Sequence, residues 1–560
     1  MDELVIVRPE KCIGCNACIR YCKAPEANIT HTTEDGRDVI TVDPTKCIAC
    51  GECVRECVHD ARDYIDDTNE AMRNLGTQQM IVIVAPAIKS VFRNNWKNVL
   101  NWFRSQGCLI YDVSFGADIC TWAHMRAIKD HRVGNIITQP CAAIVKYIEL
   151  YKPELLKNLS PIHSPMLCEV VYIKKYLRRD APILALSPCI AKKNEFVETG
   201  LVEYNVTYQK LKEWFQKNGV QIQNDYDDSF DYKFDGEQGQ LGSIYPRIGG
   251  LRDNIWAHDP NISVMTAEGV QKVYRELDNY ANLPEYKQPE VFDVLSCEYG
   301  CCSGAGTGVK KPDGFSITEV MRKAEKDFKK KIKTTGGFFR GAEDKRFKAF
   351  DDTLDVDDFM RTYKAGVPSK TPSDEELDPI FKSMGKYEKH ERENNCGACG
   401  HETCRRMAIA IYRGITTPDK CVMFAHNELK AHHSEITLRN EKLVEITSRC
   451  TALSDNMRSD MANIRKSLSE INNANGSTNT KADAVHDLLE NVISYCIHNS
   501  SMNKEETLQL IDILKTTSEA FDTLYDSVKA STTSAENISS CISEVNNMIE
   551  DLNKTLNELE

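Results

Sequence analysis

The sequence predicts a multidomain chain that joins a small α+β domain, an α/β domain, a second small domain and an all-α coiled coil. Three observations carry this. Two cysteine-dense segments, residues 1–66 and 373–425, bracket a region, 78–372, in which apolar runs alternate with amphipathic stretches. The remaining residues, 426–560, hold no Pro or Trp and one Gly, and are rich in Asn, Ser, Glu and Leu. A length of 560 residues suits several separate cores. Lys+Arg numbers 70 against 83 Asp+Glu, a net charge of −13, which disfavours nucleic-acid binding because phosphate needs a basic surface. No apolar run reaches the length of a membrane-spanning helix. The opening Met1-Asp2-Glu3-Leu4 lacks the basic stretch of an export signal, so a cytoplasmic location is expected. In that reducing compartment 23 cysteines read as metal ligands, not disulfides.

The first domain is defined by its thiols. Cys12, Cys15, Cys18 and Cys22 follow C-x2-C-x2-C-x3-C, and Cys47, Cys50, Cys53 and Cys57 repeat it. In two-cluster ferredoxins the fourth Cys of each run ligates the other cluster. The expected sets are therefore Cys12, Cys15, Cys18 and Cys57 on one 4Fe-4S cluster, and Cys47, Cys50, Cys53 and Cys22 on the second. The usual Pro after each fourth Cys is replaced by Lys23 and Val58. This ferredoxin-like domain is an electron wire.

In 78–372 the runs Ile81–Val84 and Ile183–Leu186 predict buried parallel strands, with amphipathic helices over 90–104 and 145–159. Four cysteines stand outside any compact motif. Cys141 lies in Thr138-Gln139-Pro140-Cys141-Ala142 and Cys189 in Ser187-Pro188-Cys189-Ile190-Ala191-Lys192. Cys297 and Cys301 lie in Ser296-Cys297-Glu298-Tyr299-Gly300-Cys301-Cys302-Ser303-Gly304. With Ala85-Pro86-Ala87, Phe115-Gly116-Ala117-Asp118 and Tyr151-Lys152-Pro153-Glu154, and in this order, these segments resemble the active-site motifs of the FeFe-hydrogenases. The resemblance covers roughly residues 1–372.

The resemblance implies an H-cluster domain. Cys141, Cys189, Cys297 and Cys301 would hold a 4Fe-4S unit, with Cys301 bridging to a diiron unit that carries CO, cyanide and dithiolate ligands. Lys192 would pair with one cyanide in a dry pocket, and the backbone around Ala85, Pro86 and Ala87 would approach the other. The departures are informative. Hydrogen-producing members have a proton-relaying Cys where this chain has Pro140. Their two relay glutamates fall at Ala123 and Arg126 by spacing. Ser160 and Glu195 match the remaining relay positions, and two pocket methionines become Ser187 and Leu295. Because general acid–base transfer contributes typically ~10²–10⁴-fold, slow turnover is expected. Cys120, Cys168 and Cys302 are candidate replacement relays or small buried hydrophobes, and His124 and His163 read as structural.

Residues 373–425 carry Cys396, Cys399, Cys404 and Cys421, spaced C-x2-C-x4-C-x16-C. The segment resembles a small four-Cys 4Fe-4S domain, with tetrahedral zinc as the alternative. Four 4Fe-4S clusters plus the diiron unit are expected in all.

The tail shows heptad seams. One steps by three and four from Leu514 through Phe521, Val528, Ala535, Ile542 and Ile549 to Leu559. The other runs from Leu443 to Ile471, with a stutter at Met457–Met461. Asn472–Thr480, with Gly476, is expected to break the helix. An intermolecular or folded-back coiled coil both fit the pattern.

Together these features resemble the sensory branch of the FeFe-hydrogenases. The leading expectation is an H2 sensor with a slow site, relaying redox or ligand state to the tail and onward to a signalling partner, in a homodimer. The first competing reading is a ferredoxin-dependent catalytic hydrogenase. The second is an iron–sulfur assembly or electron-transfer protein that lacks the H-cluster.

Overall fold

The structure is a computed structural model. It describes all residues except 1–2, 25, 223–231, 335–338, 368–369, 499–502 and 560, and no side chains within 327–344 or 556–559. The chain divides into two compact units, residues 1–425 and 426–560.

In the first unit, β1 (Val5–Val7), β2 (Asn28–Thr32), β3 (Asp38–Val42) and β4 (Arg62–Tyr64) form two antiparallel pairs, β1 with β4 and β2 with β3. They flank the two cysteine loops. Next come β5 (Ile81–Val84), β6 (Leu109–Asp112), β7 (Ile136–Ile137), β8 (Ile183–Ser187) and β9 (Tyr204–Thr207). They are followed by β10 (Val264–Glu268), β11 (Val291–Leu295) and β12 (Glu298–Cys301). A parallel sheet runs β6-β5-β8-β9 and a second runs β10-β11-β7. Every residue of β5 and β8 is buried, as expected for strands covered on both faces.

Both amphipathic stretches are interrupted. The first divides into Ile88–Phe92 and Trp96–Ser105, with Arg93 at φ 46° between them. The second gives Ala142–Tyr151 and then a 3-10 turn, Pro153–Asn158. Pro153 lacks the N–H and forces Lys152 out of the helical region. In 373–425, Ser373 and Glu376 form a reciprocal capping box that starts the helix Asp374–Ser383.

The second unit is an antiparallel helix pair, Val422–His498 and Lys504–Leu559. Arg465 NH2 donates to Ser543 Oγ at 3.3 Å and Asn475 Nδ2 to Ser531 Oγ at 3.2 Å, which fixes the antiparallel register. The tail thus folds back within the chain. Of the second seam, the every-seventh residues Ala535, Ile542 and Ile549 are buried, while Leu524, Ile538 and Leu552 of the alternate positions are exposed. Leu556 and Leu559 lie outside the described side chains. In the first seam Leu468 is buried but Leu443, Ile446 and Leu453 are exposed.

The expected break at Asn472–Thr480 does not occur, because the first tail helix runs through it for 77 residues, about 115 Å. Asn475 is engaged by the partner helix, and one helical Gly costs only about 1 kcal/mol. A Cβ at Gly476 would meet nothing within 4 Å. Gly476→Ala should therefore stabilise the tail by about 1 kcal/mol, read as a higher Tm of the tail's helical signal in circular dichroism.

Candidate functional site

The two N-terminal cysteine loops share one backbone design. Gly14 (φ +67°) and Asn16 (φ 59°) flank Cys15, and Ala49 (φ 54°) and Gly51 (φ +75°) flank Cys50. Left-handed residues on either side turn the backbone around each loop. Glycine sits where contact demands it. A Cβ on Gly14 would lie 2.8 Å from Asp38 Cβ, and one on Gly51 would lie 2.3 Å from Ala305 Cβ and 2.8 Å from Ile190 Cδ1. Cys22, the last Cys of its run, lies beside Cys47 and Cys50 of the other run as well as Cys18 of its own. Burial pushes the Cys22 thiol up to about 12, and Cys47 beside it adds to the rise.

The central site lies where strand ends converge. β5 leads into Ala85-Pro86, β7 into Pro140-Cys141, β8 into Pro188-Cys189, and β11 into Ser296-Cys297. Ligands bind at the carboxyl ends of such parallel strands. Here the ends line a largely apolar cavity of about 90 Å³. Cys141, Cys189, Cys297 and Cys301 all line it, with Ala85, Pro86, Pro140, Lys192, Tyr245 and Leu295. Burial, then the neighbouring thiols, pushes Cys189 up to about 11 and raises Cys297 and Cys301 further. Four thiols in one place, three of them raised by burial, suit a metal cluster, which supplies the compensating charge.

Lys192 opens the helix Lys192–Thr199, and its Nζ lies 2.5 Å from Glu195 Oε2. Ser164 Oγ donates to the same carboxylate at 3.0 Å, and Arg361 NH1 lies 3.5 Å from its other oxygen. Arg361 in turn meets Glu198 at 3.3 Å, so charged groups extend from the cavity wall to a partly exposed carboxylate.

The other relay candidates lie apart from the cavity wall. Ala123 is buried, and Arg126 is held by Asp351 in two 2.6 Å hydrogen bonds. Ser160 Oγ is 2.9 Å from His124 Nε2. Cys120 Sγ lies 3.6 Å from His124 Nδ1, and both Cys120 and Cys168 donate to the His163 carbonyl, at 3.4 and 3.3 Å. Ser187 is turned toward Asn205, its Oγ 2.8 Å from Oδ1. Tyr245 connects this layer to the cavity, since it lines the cavity and its hydroxyl is 3.0 Å from Thr121 Oγ1. No motif in the sequence marks Tyr245, and His124, read as structural, is buried with both ring nitrogens in contact, at 2.8 Å with the Cys120 carbonyl and 2.9 Å with Ser160 Oγ.

Cys396, Cys399, Cys404 and Cys421 line one pocket. Gly400 (φ +94°) brings this module against the first cysteine loop, where a Cβ would lie 3.2 Å from the Asn16 carbonyl and 3.3 Å from Ile19 Cβ. The ion pairs Lys23–Glu402 and Lys420–Asp38 and the bond from Thr30 N to the Ile415 carbonyl, 2.9 Å, hold the two together. Among the described residues no three Cys, His, Asp or Glu side chains converge as closely as the ligands of a single metal ion. No helix among them is long and apolar enough to cross a membrane.

Comparison with known proteins agrees with this layout. Residues 78–305 match the family described as the iron only hydrogenase large subunit, C-terminal domain. Residues 11–61 match the 4Fe-4S dicluster domain, and 393–423 match the model named FeS. The central region is therefore similar to the FeFe-hydrogenase large subunit's C-terminal domain, and the cysteine-rich segments on either side of it to iron–sulfur domains. A curated relative, the periplasmic Fe hydrogenase large subunit of Nitratidesulfovibrio vulgaris, is 29% identical over 255 residues, 39% of this chain. The chain spans 59% of that relative's length. Solved FeFe-hydrogenase structures, including variants of the Chlamydomonas reinhardtii enzyme, cover 54% of this chain and 100% of their own at 14–15% identity and TM-scores of 0.40–0.41.

Proposed function

We propose that this chain is an H2-responsive FeFe-hydrogenase-like protein that turns over slowly and passes the redox state of its site to its helical tail. The observation that carries the reading is the serial docking of the thiol sets. Gly51 sits against Ala305 and Ile190, beside the cavity cysteines, and Gly400 sits against Asn16 and Ile19. The order is thus cavity, second cysteine loop, first cysteine loop, 396–421 module. Cys421, the last thiol of the 396–421 module, immediately precedes the helix Val422–His498. In this reading every set holds a 4Fe-4S cluster, including the 396–421 module.

A bound H-cluster would supply the reversible splitting of H2 into protons and electrons. The chain's part is to hold it and to limit proton exit. Cys141, Cys189, Cys297 and Cys301 would ligate it, and Lys192 would direct its ammonium into a cavity walled by Pro86, Ala87, Val113, Met166 and Leu295. Pro140 offers no exchangeable proton there, and Arg126 is committed to Asp351. Glu195 is the remaining proton site against Lys192. Electrons leave along the series to ferredoxin or another redox partner. The exposed seam residues Leu443, Ile446 and Leu453 suit a homodimer or a signalling partner. The stutter at Met457–Met461 is the candidate bistable element.

The test is infrared spectroscopy and H2 turnover on purified chain loaded with a diiron precursor. CO and cyanide bands that respond to H2, with turnover ~10²–10⁴-fold below that of standard producers, are expected. Full producer rates would refute the slow-site reading. Tail hydrogen exchange that is the same under H2 and under oxidant would refute the relay from the site to the tail.

A further inference from the structure

Arg62, the first residue of β4, is buried between the two N-terminal cysteine loops, 5% exposed. Its NH2 donates to Cys18 Sγ at 3.2 Å, to Asn28 Oδ1 at 2.9 Å and to the Ile40 carbonyl at 2.9 Å. Its NH1 is buried with no hydrogen-bond partner. The charges that act on the guanidinium are thiols, Cys18, Cys53 and Cys12. A buried cation set against protonated thiols would cost several kcal/mol, and an orphaned charged N–H adds to that. The arrangement makes sense once the thiols carry a cluster. Deprotonated ligands supply the counter-charge, and sulfur atoms supply an acceptor for NH1.

The consequence is redox asymmetry. We propose that Arg62 makes the cluster held by Cys12, Cys15, Cys18 and Cys57 the higher-potential member of the N-terminal pair, so that an electron entering the wire rests there. This depends on the reading that these cysteines bind a cluster, but not on hydrogen chemistry. Reduction adds one negative charge to a cluster. A fixed cation donating to a ligand sulfur stabilises that charge, and hydrogen bonds to sulfur are a main control of cluster potential. The step is a single electron transfer in which the neighbouring cluster is oxidised by one electron and this one is reduced by one. No proton moves, because a guanidinium stays protonated. Among the described residues the hydrogen bond from Arg62 to a ligand sulfur goes to Cys18, which distinguishes the first cluster from the second. That cluster also lies beside the 396–421 module, so it is the place where electrons would collect before the final step toward the tail.

The experiment is a redox titration monitored by electron paramagnetic resonance on the full chain, reconstituted with iron and sulfide. In Arg62→Gln the reduced-to-oxidised ratio of one N-terminal cluster at fixed potential should fall at least tenfold, a downward shift of about 59 mV for one electron. The other clusters should move less, and Arg62→Lys should recover part of the shift. Unchanged potentials at full iron and sulfide content would overturn the proposal. If Arg62→Gln loses its clusters, Asn28→Asp is decisive. It sets a carboxylate against the guanidinium with little change of shape, and the same downward shift is expected. No shift there overturns the proposal too. A wild-type N-terminal domain that takes up no iron would overturn both this inference and the cluster assignment, whereas unchanged potentials overturn this inference alone. Neither result bears on the infrared response to H2.

Discussion

Lys192→Asn is expected to abolish loading of the diiron unit, seen as loss of the CO and cyanide infrared bands with the cubane iron retained. Lys192 lines the cavity and is 7% exposed, so its ammonium acts with little screening by water. Its partner Glu195, 3% exposed, would keep only Ser164 and Arg361. Breaking a buried pair on one side costs about 3–5 kcal/mol when nothing else compensates. Arg361 remains, so the loss of stability should fall below that range and the chain should still fold. Asn cannot carry the charge or span the distance that the Lys stem does. The control is Glu195→Gln, which leaves the ammonium in place and should keep the bands. Unaltered bands in Lys192→Asn would remove Lys192 from the site.

Gly51→Ala should interrupt electron flow between the N-terminal domain and the central site while leaving the infrared bands intact. Two effects act together. The residue sits at φ +75°, where an L side chain costs roughly 1–2 kcal/mol. Its new Cβ would also lie 2.3 Å from Ala305 Cβ and 2.8 Å from Ile190 Cδ1, so the loop must move away from the central domain. The expected readout is a drop in H2-dependent reduction of the N-terminal and 396–421 clusters, followed by stopped-flow absorbance. The mirror substitution, Gly400→Ala, should spare the N-terminal clusters and slow only the last one. Wild-type rates in Gly51→Ala would show that this contact does not carry the electron.

Much of the chain was legible from local pattern. The thiol spacings marked three cysteine-rich sites because cluster ligands within one loop are set by a few residues of backbone. β5 and β8 were legible because continuous apolar runs mark doubly covered strands. The failures have physical causes. Asn472–Thr480 looked like a break because Asn, Ser, Thr and Gly are weak helix formers, yet a partner helix supplied contacts that outweighed propensity. Arg62 carried no motif, and its role depends on β4 bringing it under Cys18, 44 residues earlier in the chain. Ser160 matches a relay position by sequence, and its hydrogen-bond partner His124 is set by packing of the helix Val113–Lys129, beyond the reach of any local pattern.

The amino-acid sequence alone determined which thiols are spaced as cluster ligands, how they group within each loop, and that residue 140, a proline, offers no exchangeable proton. Those are properties of residue chemistry and short-range spacing. Tertiary structure alone decided the order of the sites, through Gly51 against Ala305 and Gly400 against Asn16. It also decided which seam residues of the tail are buried and where the one cation beneath the first loop points. These depend on which surfaces pack together across hundreds of residues, and close packing is a property of the assembled core that no local window of sequence contains.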